Sequence, residues 1–210
     1  MNKPNQTLST YNAIAKDYEK ENITLDSNEE IEEFAKLLPK NPKVLDLGCG
    51  FGRELAAFIE MGYDTYGADG SRELLKLARI RAPKAKTKLM DLRNSLSYAD
   101  TFFDGVWARN SLHHLLPEDL SKAFSEIKRI LKPNGILFIE WKEGAEPKVT
   151  KEEIAKGKER YYNLMLKKDL IKLISDSGFK VIKSYKYNWN ERYGKKRQFS
   201  DFVVILASNS

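Results

Sequence analysis

Val44-Leu45-Asp46-Leu47-Gly48-Cys49-Gly50-Phe51-Gly52-Arg53 runs an apolar strand into three glycines, and Glu54-Leu55-Ala56-Ala57-Phe58-Ile59 then continues with helical character as far as Gly62. Glycines at a strand-to-helix junction let a ligand approach the backbone closely, which implies a nucleoside-bearing ligand. Dinucleotide sites use G-x-G-x-x-G with a pyrophosphate on the helix N-terminus, but here the third glycine comes one residue early and Arg53 stands in its place. Asp46 adds a second distinction: a carboxylate just before the first glycine repels a pyrophosphate and suits a ligand carrying an ammonium or sulfonium. That ligand's own carboxylate could meet Arg53 or free backbone N–H groups nearby.

Outward from this bend, short apolar runs alternate with helical patterns, the rhythm of strand-helix-strand units around a mostly parallel sheet. Residues 64–68 read as the second strand. Ser71 reads as a helix cap ahead of Leu74, Leu75, Leu77 and Ala78, and Pro83 stops that helix. Residues 86–90 and 103–108 give a third and a fourth strand. Leu120, Phe124, Ile127, Ile130 and Leu131 then recur at helical spacing up to Lys132-Pro133-Asn134-Gly135, and residues 136–139 form a fifth, fully apolar strand. After a helix over 167–177, segments 179–187 and 202–207 are joined by a loop too short for a crossover helix, so they should pair antiparallel. Residues 11–38 are helical in pattern and precede the bend, which suits a lid.

The 210 residues suffice for one domain with a substantial core. Its parts are an N-terminal lid (1–40), a ligand-binding core (41–142) and a substrate-side insert with a C-terminal hairpin (143–210). Cys49 is the single cysteine, so no internal disulfide can form, and with 2 histidines no Cys/His cluster has zinc spacing. No metal is expected. The start of the chain is polar and no stretch is apolar enough to span a membrane, which predicts a cytoplasmic protein. The net charge of +6 reflects either anionic partners or a lysine-rich solvated surface.

With these segments in place, the sequence resembles the class I S-adenosylmethionine (SAM)-dependent methyltransferases, of the type 11/12/25 kind, whose first motif is acidic-x-Gly-x-Gly-x-Gly. SAM carries both positive groups that Asp46 would favour. The resemblance implies a Rossmann-like, doubly wound, seven-stranded α/β sheet, mostly parallel with an antiparallel C-terminal strand and helices on both faces. By the same resemblance Asp69, ending the second strand, accepts the ribose hydroxyls, although a helix N-cap is its bland alternative. Asp91 holds the adenine amino group and Leu92 donates its backbone N–H. Lys132-Pro133-Asn134-Gly135 matches the family's Lys-Pro-Gly-Gly turn with one glycine replaced. Tyr11 and Tyr18 match a Tyr-x-x-Ile-Ala-x-x-Tyr spacing, and they either close over SAM or pack the lid. The implied cofactor set is Tyr11, Tyr18, Asp46, Gly48, Cys49, Gly50, Arg53, Asp69, Gly70, Ser71, Met90, Asp91, Leu92, Arg109 and Asn110.

Methyl transfer from a sulfonium is an in-line displacement, so alignment and water exclusion matter most and a base is optional. Arg109-Asn110-Ser111-Leu112-His113-His114 lies at the carboxyl edge of the sheet, where open α/β folds bind ligands. His114 is the base candidate, its alternative being a backbone-bonded histidine that shapes the pocket; His113 is expected to be structural or exposed. Substrate contacts are expected from Glu140, Lys142, Arg160, Tyr161 and Tyr162. The favoured acceptor is a small molecule, because the strand ending in Lys-Glu-Gly, the Arg-Tyr-Tyr and the final Gly-Phe resemble small-molecule methyltransferases. A narrower resemblance is to tRNA methyltransferases that esterify a carboxymethyl group on the wobble uridine, in which Asn163 here replaces a histidine. Lys180, Lys183, Lys186, Arg192, Lys195, Lys196 and Arg197, interleaved with Tyr185, Tyr187, Trp189 and Tyr193, either bind RNA or form the two faces of a hairpin. A SAM-binding, non-catalytic partner subunit is the reading of another class.

Overall fold

The structure is a computed structural model that describes residues 3–25, 27–151, 155–194 and 201–209. Two helices, α1 (Lys3–Asn22) and α2 (Asn28–Ala35), lead into β1 (Lys43–Leu47), α3 (Arg53–Glu60), β2 (Asp64–Asp69), α4 (Arg72–Arg81) and β3 (Lys86–Leu89). Then follow β4 (Phe103–Arg109), a single 3-10 turn (Leu112–His114), α5 (Pro117–Ile130) and β5 (Leu131–Lys142). The rest is β6 (Lys148–Lys151), β7 (Glu159–Tyr162), α6 (Lys167–Asp176), β8 (Phe179–Asn188), α7 (Trp189–Tyr193) and β9 (Asp201–Asn209).

Seven strands form one sheet in the order β3-β2-β1-β4-β5-β9-β8. The first five are mutually parallel, and β9 runs antiparallel to both neighbours. This is the Rossmann-like, doubly wound sheet the sequence implied. The order reverses between β1 and β4, and at such a switch point the loops leaving adjacent strands diverge and open a crevice. β9 pairs with β8 across its length, as expected of the two C-terminal segments.

Alternation along the strands puts apolar residues on both faces. Leu45, Val106, Leu137 and Ile205 meet Leu120, Phe124 and Ile127 of α5 and Leu170 and Ile174 of α6. Val44, Trp107, Phe138 and Val204 face Phe34 of α2 and Phe58 of α3. Trp107 stacks on Phe138 with ring centroids 3.6 Å apart, which makes that side a tight aromatic wedge. α5 has proline in its first turn, Glu118 and Asp119 beside it, and Lys128 and Arg129 in its last turn, charges that complement its dipole.

Three features differ from the sequence-based expectation. The N-terminal helical pattern divides into two helices, and α1 starts at Lys3 rather than near Tyr11, Pro4 being tolerated in a first turn. β5 is longer at both ends than 136–139: pairing with β9 continues through Glu140↔Val204 and Lys142↔Phe202, so charged residues placed beyond the strand lie inside it. Asn134, at φ 62, absorbs the turn within the strand's early part. Finally, β6 and β7 pair as a separate antiparallel hairpin, against which α1 packs. Thr10 donates its hydroxyl to the Glu159 carbonyl at 2.7 Å, and the Tyr161 N–H donates to Thr7 Oγ1 at 2.9 Å. That docking holds α1 across the carboxyl edge of the sheet.

Candidate active site

The glycine bend is shaped by its own backbone. Gly48, Gly50 and Gly52 have φ of 87°, 54° and 84°, in the left-handed region that favours glycine. Gly48 and Cys49 both donate N–H to the Ala68 carbonyl, at 2.7 and 3.1 Å, which ties the bend to the end of β2. Asp69 completes the tie: Oδ2 accepts from the Gly50 N–H at 2.8 Å and Oδ1 from the Ser71 N–H at 2.7 Å. Burial raises the Asp69 carboxyl above its ordinary value, against the pull of those two N–H groups.

Two cavities meet at this bend, sharing Tyr11, Tyr18, Gly48, Gly50, Arg109 and Asn110. The first encloses about 720 Å³, part of it open to solvent, and is largely apolar; Leu8 of α1 and Met90, Leu92 and Leu115 line it alongside Asp69, Gly70, Asp91 and His114. The second, about 760 Å³ and likewise partly open, is largely polar and is lined by Asp46, Cys49, Arg53, Glu54, His113, Lys142, Arg160 and Tyr162.

Asp46 is the most constrained of these groups. It is 2% exposed, and its Oδ2 has no hydrogen-bond partner among the described residues. Burial, then the charges of Glu54 and Asp69, push its carboxyl well above the usual carboxylate range, with Arg53 and Arg109 opposing. An ionised carboxylate there lacks a counter-charge that a bound cation would supply. Asn110, at φ 53°, adds a second buried acceptor without a partner among the described residues, Oδ1, at the junction of the cavities. Asp91 is held by Arg93, whose Nε lies 2.9 and 3.0 Å from its two oxygens; this hydrogen bonding keeps the Asp91 carboxyl below its ordinary value. Arg93 also donates to Asn5 Oδ1 of α1 at 2.5 Å, linking that helix to the Asp91 side of the first cavity.

The 3-10 turn carries the two histidines. His114 Nδ1 lies 2.6 Å from the Tyr161 carbonyl, which can only accept, so Nδ1 carries a proton, and Nε2 lies 2.9 Å from the Tyr11 hydroxyl oxygen. Arg160 donates to the same Tyr11 oxygen at 3.1 Å. His113, expected to be structural or exposed, is 1% exposed and lines the polar cavity. The turn thus sends the two adjacent rings to different cavities, His114 to the apolar one and His113 to the polar one, a division no sequence signal carried.

Three sequence-predicted site residues line neither cavity. Ser71 is fully buried; its Oγ caps α4 by accepting from the Leu74 N–H at 3.3 Å and donates to Asn12 Oδ1 at 2.9 Å. Glu140 is 1% exposed and is engaged by the Arg109 Nε at 2.9 Å and by the Asn110 amide, so its carboxylate props these two residues from behind. Tyr161 contributes its carbonyl to His114 while its ring lies elsewhere. Arg53 is at the cavity, where its guanidinium donates to Glu54 Oε1 at 2.5 Å and to the Asn22 carbonyl at 2.8 Å.

Glu54 Oε1 also accepts from Arg109 at 3.0 Å and from the Ser27 hydroxyl at 3.0 Å. Burial alone would raise this carboxyl, but Arg53 and Arg109 outweigh it and lower it from 4.5 to about 2. A carboxylate depressed in the folded state contributes stability above its unfolded pKa, and that contribution is lost as pH falls through the folded value. Melting temperature is therefore expected to drop between about pH 4.5 and 2 with a Glu54-dependent component. Thermal scans of Glu54→Gln should show a lower starting stability and a flatter acid limb; parallel acid limbs would contradict this.

Among the described residues no group of three His, Cys, Asp or Glu could hold a metal ion, and no helix is long and apolar enough to cross a membrane.

A family profile described as “Methyltransferase domain” matches residues 45–139. An uncharacterized methyltransferase of Synechocystis is 36% identical over 97 residues, covering 46% of this chain and 45% of that one. The chain spans about half the length of the curated relatives it matches. Among solved structures, a SAM-dependent methyltransferase from Methanosarcina mazei superposes with a TM-score of 0.74 at 23% identity, covering 88% of this chain and 98% of that one. A 1,6-didemethyltoxoflavin-N1-methyltransferase from Burkholderia thailandensis, with its substrate and S-adenosylhomocysteine bound, gives 0.69 at 20% identity, covering 96% of this chain and 87% of that one.

Proposed function

Because this chain has the class I, Rossmann-like fold of SAM-dependent methyltransferases, with SAM as the cofactor that fold is built around, we propose that it transfers the methyl group of SAM to a small-molecule acceptor. The observation that carries the reading is the unpartnered, buried Asp46 oxygen beside glycines 48 and 50, where two cavities join. Bound SAM would supply a methyl group activated on a sulfonium, displaced in line by an acceptor lone pair to leave S-adenosylhomocysteine.

The residues present fit SAM. Asp46 supplies negative charge for its cationic amino-acid end, and the side-chain-free bend leaves backbone open to it. Asp69 retains acceptor capacity for ribose hydroxyls, since each oxygen has accepted one N–H. Asp91, kept ionised by Arg93, and the apolar Met90 and Leu92 suit an adenine. α1 covers this cavity through Thr7, Leu8 and Tyr11, which excludes water; the Tyr11–His114 hydrogen bond fixes the cover over the junction. His114 in this geometry positions Tyr11.

The surroundings of the basic C-terminal residues favour a small acceptor over RNA. Lys183 pairs with Glu33 at 2.5 Å, Lys186 with Glu143 at 2.6 Å, and Arg192 with Glu30. Tyr187 stacks on Phe202 and Trp189 is buried, so these rings are not offered as a stacking platform. Lys195, Lys196 and Arg197 lie outside the described residues.

Labelled SAM incubated with the protein and a metabolite extract should yield labelled small molecules, and total tRNA should stay unlabelled. A labelled tRNA band would make RNA the acceptor instead. SAM at 100 times its dissociation constant should stabilise the protein by about 2.7 kcal/mol, and NAD should not. Stabilisation by SAM with no transfer to either pool would favour a non-catalytic, SAM-binding subunit.

A further inference from the structure

The contacts that dock α1 fall into two sets. Thr7 and Thr10 engage β7, through the Tyr161 N–H and the Glu159 carbonyl, and β7 holds His114 through the Tyr161 carbonyl. The second set meets the half of the sheet that carries the glycine bend. Leu8, Asn12, Ala15 and Glu19 recur at alternating four- and three-residue spacing, so they share one face of the helix. Along that face Leu8 reaches Gly70, Asn12 reaches the start of α4, Ala15 packs with Leu74, and Glu19 pairs with Arg81 at 2.6 Å.

Asn12 makes the most directed of these contacts. The first N–H groups of a helix have no partner within it. At α4 the Leu74 N–H donates to Ser71 Oγ at 3.3 Å, a cap from its own segment, but the Glu73 N–H donates to Asn12 Oδ1 at 3.1 Å, a cap supplied 61 residues earlier in sequence. The Ser71 hydroxyl donates to the same Asn12 oxygen at 2.9 Å, and the Ser71 N–H donates to Asp69 Oδ1 at 2.7 Å. Hydrogen bonds thus link Asn12, through Ser71, to the carboxylate assigned above to the ribose. Gly70 lies between them and is outside the left-handed region, so no backbone strain calls for glycine there. A β-carbon at position 70 would lie 2.6 Å from Leu8 Cδ2; the missing side chain makes room for α1.

Resting on the SAM reading, we propose that Asn12 is a positioning residue that ties α1 to the ribose loop 69–71, so that seating the cofactor locks α1 down against both that loop and β7. A ligand that binds the locked form better shifts the population toward it. By linkage, loosening α1 weakens the cofactor by the same factor. Because Tyr11 of α1 lines both cavities, the wall shared with the acceptor is completed only once the cofactor is seated, and binding is ordered, cofactor first.

The test uses the full chain and S-adenosylhomocysteine. In the unaltered protein, saturating S-adenosylhomocysteine should slow hydrogen exchange about 10-fold or more at the amides of α1 and at the Tyr161 N–H, which donates to Thr7. Exchange there that bound ligand leaves unchanged overturns the proposal, whatever the variants do. Asn12→Leu should weaken S-adenosylhomocysteine about 10-fold in calorimetric titration and abolish the slowing. Asn12→Asp, which keeps an acceptor oxygen for Ser71 and Glu73, should bind within about 3-fold of the unaltered protein. A merely structural role would lower the melting temperature of ligand-free Asn12→Leu and leave its affinity in place, so affinity within about 3-fold in that variant sinks the proposal. Asn12→Asp binding as weakly as Asn12→Leu sinks it too. S-adenosylhomocysteine that fails to bind the unaltered protein refutes the cofactor reading itself, whereas binding without any effect on α1 refutes only the coupling.

Discussion

Asp46→Asn is expected to weaken SAM binding about 100-fold or more, while the ligand-free variant melts at the same temperature as the unaltered protein or higher. Asparagine keeps the shape and removes the charge. In the ligand-free protein that charge is a liability: Asp46 is 2% exposed, one oxygen lacks a partner among the described residues, and Glu54 and Asp69 repel it. With SAM bound, the same charge meets an ammonium and a sulfonium. Truncating one partner of a buried charge pair costs about 2–5 kcal/mol, and 100-fold in affinity is about 2.7 kcal/mol. Calorimetric titration of the variant reads the effect directly; affinity within about 3-fold of the unaltered protein would remove Asp46 from the cofactor site.

The same group makes binding pH-dependent, with a fixed sign. Burial first, then Glu54 and Asp69, raise the Asp46 pKa in the ligand-free protein, and a bound cation lowers it. Binding therefore releases a proton wherever the ligand-free carboxyl is still protonated. Affinity falls as pH drops through the raised pKa and is flat above it. Titrations in two buffers of different ionisation heat count that proton, and Asp46→Asn should abolish the release. A release that survives the substitution would point to another group.

The legible part of this protein is the part whose chemistry is local in sequence. The bend is readable because three glycines must sit where the backbone turns left-handed, and Asp69 because the next strand ends beside them. The parallel pairing of β1 to β5 was legible in the alternation of apolar runs with helical patterns. Glu140 was illegible: its neighbours made it look like a residue beyond a strand end, whereas β9, sixty residues later in sequence, extends β5 and buries it against Arg109. The β6–β7 hairpin escaped because its strands are short and charged, and they are held by α1, an element remote in sequence. Ser71 and Arg53 have competing claims on their polar atoms. The cap by Ser71 was legible from its place before the helix, whereas the hold of Glu54 and the Asn22 carbonyl on Arg53 is visible only in three dimensions.

Gly48→Ala is expected to destabilise the fold by about 2–6 kcal/mol, enough to unfold a marginal domain at physiological temperature. Two effects add. At φ 87° any side chain strains the backbone, which costs about 1–3 kcal/mol. A β-carbon at position 48 would also lie 2.2 Å from Ser111 Cβ and 3.5 Å from its Cα, an overlap that no rotamer relieves, and overpacking of this kind costs about 1–3 kcal/mol more. The two parts can be separated, because only the second depends on Ser111. Gly48→Ala combined with Ser111→Gly should regain the steric part and keep the backbone part, a favourable coupling measurable by urea unfolding of the four species in a double-mutant cycle. If the costs simply add, the bend has moved away from Ser111 in the variant and the contact between the glycine turn and the strand-four loop is not rigid. If Gly48→Ala costs nothing, the left-handed bend on which cofactor access depends is not the conformation this sequence adopts.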